Sequence, residues 1–350
     1  MAPLIDDVTV EILLRHPPDE PEHLFRAALV CEPWLRTLCD PGFRRRYRAF
    51  HGAPPLLGLL HRLRVIDGDA PARFASTTLV PGFPHPGSDG RRTRPLDCRH
   101  GRVLVYMLED EDVDYLIWDP VTGDRHAVPA PDIEWLIESA AVLCAADGCD
   151  HLDCHGGPFR VAFAATRDFE DTICASVYSS ETGAWSEPRG TLVGDAVYFT
   201  VRLGNAIVKY DLCKNSLSMI DPPPHTMYYI ALIAMEENNS LGFAYIEDSS
   251  LCMWSRKVDT EGPAEWVQFM VIQLEKTIPV AKPDDRLIVV GSAEGVGVIF
   301  VSTGAGLFMI KLSSGQLKKV DGPGVYFSVL PYMSFYTPDR GKMLSFAGED

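Results

Sequence analysis

Trp118-Asp119-Pro120-Val121-Thr122-Gly123 is the first of several stretches built alike, and together they decide the fold. Tyr178 is followed by Gly183, Tyr210 by Asn215 and Ile310 by Gly315, in each case five positions on. In every copy a large apolar residue closes a strand-like run and a polar turn follows. The turn ends in Gly or Asn, the residues that adopt a left-handed backbone at least cost. Trp254, with a longer loop through Gly262, marks a fifth copy. The anchors at 118, 178, 210, 254 and 310 stand about 48 residues apart on average, near the period of propeller blades.

Further strand-like runs lie between the anchors: Phe159 to Ala164, Ala196 to Val201, Leu241 to Ile246 and Val296 to Val301. With them each repeat holds roughly four strands, the number in a blade. A two-sheet sandwich also has many short strands, but not at this period. The expected body is therefore a large all-β domain, a β-propeller. It has six blades if residues 56–97 contribute strands and five if they do not.

The chain ahead of this body reads differently. Ile5, Val8 and Ile12 fall at helical spacing, and Val10, Leu13 and Leu14 form a second apolar stripe beside them. Asp6 and Asp7 suit a helix N-terminus. A helix apolar around so much of its circumference has more surface than one small core can bury. Pro17-Pro18 ends it. Asp19 and Glu22 read as a capping box for a second helix with Leu24, Phe25, Ala28 and Leu29 on its apolar face. Pro33 opens a third, in which Trp34 and Leu38 stand four apart. Asp40-Pro41-Gly42 reads as a stop and turn, and Phe43, Tyr47 and Phe50 recur at helical spacing beyond it. The expected organisation is a small all-α hook over residues 1–50, a connector with a Gly/Pro/Arg-rich loop over 51–95, and the propeller over 96–350.

Leu4, Glu11-Ile12-Leu13, Pro17, Leu24, Val30-Cys31, Trp34, Leu38, Asp40-Pro41 and Phe43 resemble the F-box motif. The chain departs from that motif at Ile5, His16 and Glu32-Pro33. The body has a matching resemblance. Leu96 to Leu104, Trp118 to Gly123 and Pro331-Tyr332-Met333-Ser334-Phe335-Tyr336-Thr337-Pro338 look like the β-propeller domain of grass F-box proteins. The resemblance implies a hook that binds a Skp-type adaptor, and through it a cullin–RING ubiquitin ligase. The adaptor-binding residues it implies are Leu4, Ile12, Leu13, Pro17, Leu24, Val30, Cys31 and Trp34. The propeller would then hold an unknown target protein. Two other readings remain open at this point: an interaction scaffold outside any ligase, and a propeller that senses a small ligand or metal.

Charge narrows the partners. The net charge is −16, and residues 1–52 hold eight acidic and seven basic side chains, so almost all the excess lies in the body. Such a body is unsuited to nucleic acid, whose phosphates call for Lys/Arg patches. Met1-Ala2-Pro3-Leu4 lacks the features of a secretory leader, and the longest apolar run, Leu287 to Val301, is interrupted by Ser292, Glu294 and three glycines. A soluble chain of the cytoplasm or nucleus, with no membrane partner and its nine cysteines reduced, is expected.

Enzyme signatures are missing from the sequence: there is no P-loop, no strand-coupled G-x-G-x-x-G, no G-x-S-x-G and no H-E-x-x-H. Gly291 to Gly297 reads as a sheet hairpin. Glu109-Asp110-Glu111-Asp112 with Asp114 lacks the spaced ligands and glycine of a calcium loop. One cluster stands out, Cys144, Cys149, Asp150, His151, Asp153, Cys154 and His155. Its spacing matches no closed zinc pattern, and adjacent Cys154 and His155 would have difficulty reaching one ion together. It is read as a polar loop before the strand at Phe159, with Cys144 in the preceding strand. No cofactor is expected, and Cys149, His151, Cys154 and His155 are the candidates should a metal bind.

Overall fold

A computed structural model describes residues 6–63, 74–78, 83, 85–86, 93–108, 114–132, 137–166, 173–186, 196–201, 206–211, 216–222, 231–234, 241–257, 265–275, 277–282, 285–293, 295–324 and 326–339. The hook is four helices, α1 (Asp6–Leu14), α2 (Glu22–Ala28), α3 (Glu32–Cys39) and α4 (Pro41–His51). Two of the expected local signals act otherwise. The Asp19/Glu22 capping box does not form: α2 begins after Pro21 with no side-chain cap. Asp40, read as a stop, ends α3 but also caps α4, its carboxylate accepting from the Phe43 N–H at 2.8 Å. Pro41 follows at the first helical position, where its missing N–H costs nothing.

The hook's core is Leu13, Leu14, Leu24, Leu38, Phe43 and Tyr47, all buried. Burial of each such side chain contributes roughly 1.5–3 kcal/mol. The Tyr47 hydroxyl donates to the His16 carbonyl at 2.9 Å, and the His51 ring bonds the Leu14 carbonyl at 3.0 Å, so α4 also satisfies the end of α1.

The body follows as six antiparallel sheets among the described residues. In chain order the strands are β1 (Leu56–Leu63) and β2 (Phe74–Ser76), then β3 (Thr93–Arg99), β4 (Arg102–Met107), β5 (Tyr115–Trp118) and β6 (Arg125–Val128) as one sheet. The next comprises β7 (Ile137–Cys144), β8 (Phe159–Thr166), β9 (Ile173–Ser179) and β10 (Ala184–Ser186). A three-stranded sheet follows, β11 (Ala196–Val201), β12 (Ala206–Asp211) and β13 (Ser216–Ile220). Then come β14 (Ala231–Ala234), β15 (Leu241–Glu247), β16 (Ser250–Lys257) and β17 (Glu265–Gln273). The last two sets are β18 (Ile288–Ala293), β19 (Val298–Thr303), β20 (Gly306–Lys311) and β21 (Gln316–Asp321), and finally β22 (Tyr326–Met333).

The ring closes through its two ends. β22 pairs antiparallel with β1, and β1 with β2, so the last strand of the body completes a sheet begun by the first two. β22 also lies beside β18 on one side and β3 on the other; β3 neighbours β7, β7 neighbours β11, and β14 neighbours β18. Six sheets arranged in this way are the six-bladed propeller. The stretch read as a connector is therefore only partly one, because Leu56–Leu63 and Phe74–Ser76 are blade strands.

The recurring anchors hold one place in the sheets that carry them. Trp118, Tyr178, Tyr210 and Ile310 lie on the penultimate strand, and each pairs with a residue of the last strand: Arg125, Trp185, Leu217 and Leu317. Gly123, Gly183 and Gly315 have φ of 80°, 66° and 65°, the left-handed turn endings expected. Each donates its N–H to a carbonyl four residues back, on Asp119, Ser179 and Lys311, at 2.8–2.9 Å. Asn215 and Gly262 lie outside the described residues, as does the acidic run at 109–112. Gly291–Gly297 bridges β18 and β19, as a hairpin should.

Two inter-blade contacts show why particular residues are needed. A Cβ at Gly291 would lie 2.3 Å from the Val329 carbonyl oxygen, so only glycine lets β18 approach β22 this closely. Buried Asp97 on β3 accepts the N–H of Val142 on β7 at 2.8 Å and pairs with Arg99 at 3.2 Å.

Candidate functional site

The hook presents two faces. Its inner face is seated on the body. Phe335 enters the hook's core, Tyr47 meets its ring edge-on at 6.1 Å, and Phe25 lies 4.9 Å from Tyr336. Leu152 packs at the same junction. Arg48 pairs with Asp153 at 2.6 Å and Arg44 with Asp339 at 3.2 Å. The segment 334–339 and the loop between β7 and β8 thus form the seat.

The outer face is apolar and open. Val8 and Ile12 on α1 are 44% and 46% exposed, while Leu29 and Val30 after α2 are 75% and 63% exposed. Cys31 and Pro17 are also exposed, and Trp34 is half-buried. Of the ten exposed large apolar side chains among the described residues, five belong to the hook, Phe50 being the fifth. That concentration on so short a segment marks an interaction surface.

Burial divides the residues that the resemblance implies for adaptor binding. Leu13 and Leu24 are 0% and 1% exposed and hold the hook together from within. One residue step on a helix turns a side chain by about 100°, which separates buried Leu13 from exposed Ile12. Ile12, Pro17, Val30, Cys31 and Trp34 remain on or at the edge of the open face; Leu4 lies outside the described residues.

The loop after β7 holds the second constellation. Cys144 is the last residue of β7, Gly148 (φ 63°) and His151 (φ 58°) reverse the chain, and Cys154 is buried beneath them. One ligand atom from each of Cys144, Cys149, His151 and Cys154 lies within 4.8 Å of the others. The Cys149 and Cys154 sulfurs are 3.6 Å apart, and the Cys154 sulfur is 3.6 Å from Nδ1 of His151. The His100 ring lies 4.2 Å from that of His151. Burial, and then the neighbouring imidazole of His151, lowers the His100 pKa to about 4. Burial, with Cys144 and Cys149 beside it, pushes the Cys154 thiol up, the opposite of what an activated nucleophile needs.

His155, counted among the metal candidates, faces away from this group. Its Nδ1 bonds the Asp119 carboxylate and its Nε2 lies 3.1 Å from the Ser334 hydroxyl. The order Asp-His-Ser is that of a hydrolase triad. Ser334 is only 5% exposed, however, and its hydroxyl is directed at the Phe335 carbonyl at 3.5 Å. The chain of bonds instead straps the 334–339 segment to the turn after β5. Arg102, buried, donates to the carbonyls of Cys154 and Gly157 and holds the same loop from below. Sequence reasoning singled out the stretches that hold Arg102, Ser334 and Phe335 only for their family resemblance and missed these contacts, whose partners lie far away in the chain.

A family model described as "F-box protein AT5G49610-like, beta-propeller" matches residues 95–339, which is the body without the hook. No curated protein matches the chain. Among solved structures, TolB from Acinetobacter baumannii is similar at 13% identity and a TM-score of 0.42, over 82% of this chain and 69% of its own. The extracellular domain of the hybrid two-component system BT4673 from B. thetaiotaomicron is similar at 15% identity and a TM-score of 0.33, over 65% of this chain and 27% of its own. An oligogalacturonate lyase in complex with manganese is similar at 10% identity and a TM-score of 0.37, over 63% and 62%. No helix among the described residues is long and apolar enough to cross a membrane.

Proposed function

The chain belongs to the F-box protein AT5G49610-like β-propeller family, and from that membership we propose that it is the substrate-recognition subunit of a Skp–cullin–F-box ubiquitin ligase. The hook binds a Skp-type adaptor through Ile12, Pro17, Val30, Cys31 and Trp34, with Leu4 at its start. The propeller holds a target protein and has no chemistry of its own. Catalysis by the assembly is then proximity, because the receptor raises the local concentration of target near a charged ubiquitin-conjugating enzyme. The motifs at 96–104, 118–123 and 331–338 support a kinship, within the family, with the grass proteins they resemble.

The observation that supports this reading most is the split hook. One apolar stripe of α1 is consumed by the hook's core and the other, Val8 and Ile12, is left open, as are Leu29 and Val30 after α2. A helical cap serving only the propeller would have no use for the second stripe. The scaffold reading shares the adaptor and lacks the ligase.

Reconstitution tests it. The full chain, co-expressed with a Skp-type adaptor, should form a stable complex that captures a cullin–RING core. Failure to bind adaptor at micromolar concentration would end the proposal, and binding adaptor while excluding cullin would leave the scaffold.

A further inference from the structure

We propose that Cys144, Cys149, His151 and Cys154 bind one zinc ion, and that this ion fixes the loop on which the hook is seated. Two of the separations are already those of a metal site, and the remaining ligand atoms lie close enough to reach one with a small adjustment. Zinc bonds of about 2.3 Å to sulfur and 2.0–2.1 Å to nitrogen, in a tetrahedron, put sulfurs about 3.8 Å apart and sulfur and nitrogen about 3.6 Å apart. Here the Cys149–Cys154 and Cys154–His151 separations are both 3.6 Å, and all four ligand atoms lie within 4.8 Å. Thiols are poor hydrogen-bonding groups, so bonds among themselves do not account for three of them converging on an imidazole.

The donor set selects the metal. Three sulfurs and one nitrogen are too soft for magnesium or calcium and suit zinc. Four protein ligands fill the tetrahedron and leave no position for water, which makes the site structural. Binding displaces the three thiol protons, and the neutral imidazole coordinates through Nδ1, leaving the centre with a net charge of −1. In the spacing Cys-x4-Cys-x-His-x2-Cys the first ligand is the end of β7, and the adjacent His155 is engaged elsewhere, by Asp119 and Ser334.

Position gives the site its role. Between the ligands His151 and Cys154 lie Leu152 and Asp153, and both meet the hook. Leu152 packs against the hook's core and Asp153 pairs with Arg48. A bound ion clamps both flanks of that dipeptide, so the angle between hook and propeller depends on it. This inference stands on the loop geometry alone and does not require the ligase reading.

The test uses the full chain purified without chelators. Elemental analysis should find one zinc per chain, and exchange into cobalt(II) should give the intense ligand-field bands of a tetrahedral thiolate site. Cys149→Ser and Cys154→Ser should each lose the ion, whereas Cys252→Ser, a buried cysteine of β16, should keep it. His151→Cys provides a four-sulfur site that should retain metal with a shifted cobalt spectrum, even if the serine variants fold poorly. Chelation should speed proteolysis between hook and body. Wild-type protein that carries no zinc and takes up no cobalt would overturn the proposal. So would a Cys149–Cys154 disulfide in the intact mass, or zinc retained in both serine variants.

Discussion

Arg48 of α4 and Asp153 of the β7–β8 loop form an ion pair at 2.6 Å, with the Arg48 side chain only 12% exposed. It is the best-shielded charge contact between hook and body among the described residues, and it predicts an asymmetry. Arg48→Ala should destabilise the seated hook by on the order of 1–2 kcal/mol, allowing for the partial exposure of Asp153. Arg46, paired with Glu11 at 3.3 Å, is 58% exposed, and Arg46→Ala should change almost nothing. Proteolytic cleavage after α4, compared across the two variants, separates the cases.

Ring closure by β1 makes truncation sensitive to where it starts. A fragment beginning at Ala53 keeps every blade strand and should remain β-rich and cooperative in unfolding, with a lower Tm because Leu152 and Phe335 lose their cover. A fragment beginning at Thr93 keeps β3 whole but lacks β1 and β2, leaves β22 unpaired on that side, and should aggregate or melt without cooperativity. Equal melting of the two fragments, by circular dichroism, would show that closure contributes nothing.

Gly291 tests how tightly the closing strands meet. Gly291→Val places a branched side chain against the Val329 backbone and should cost about 1–3 kcal/mol, as overpacking does. The same substitution at Gly123 meets no atom within 4 Å, and its cost should come from the left-handed backbone (φ 80°) alone. Denaturant midpoints with unchanged m-values are the measurement.

The fold was legible where its signals are local. The anchors Trp118, Tyr178, Tyr210 and Ile310 announce hairpins because anchor, turn and left-handed residue lie within six positions. Closure was not legible in the same way, since β1 and β22 stand at opposite ends of the body and Leu56–Leu63 has no turn signal of its own. The split of α1 needed the helix phase: both stripes are apolar, and only packing shows that Leu13 turns inward and Ile12 outward. The cysteine loop was visible as composition but not as geometry. Its ligands converge only after reversals at Gly148 and His151, a non-glycine residue whose positive φ nothing in the sequence announces.

His85 should give the fold an acid-sensitive step. It is buried against Trp118, and burial, with Arg125 secondary, lowers its pKa to about 4. The unfolded chain, with a histidine near 6.5, therefore takes up this proton first as pH falls. Stability from this residue is complete above about pH 6.5 and declines toward about pH 4, by up to roughly 3 kcal/mol. His85→Gln should flatten the slope of unfolding free energy between those values, whatever its effect at neutral pH.

The account rests most on the open face of the hook, and adaptor affinity of the Ile12→Asp variant tests it most directly. Ile12 is 46% exposed, so the variant should keep its circular dichroism spectrum and Tm. Loss of a central apolar contact at an interface typically costs about 2 kcal/mol or more, which is over tenfold in Kd. Leu13→Asp is a poorer probe, since burying that carboxylate would unfold the hook itself. Titration calorimetry with a Skp-type adaptor should therefore show folded Ile12→Asp protein binding at least about tenfold more weakly than wild type. Wild-type affinity from the folded variant would contradict the docking face, and with it the receptor function argued from it.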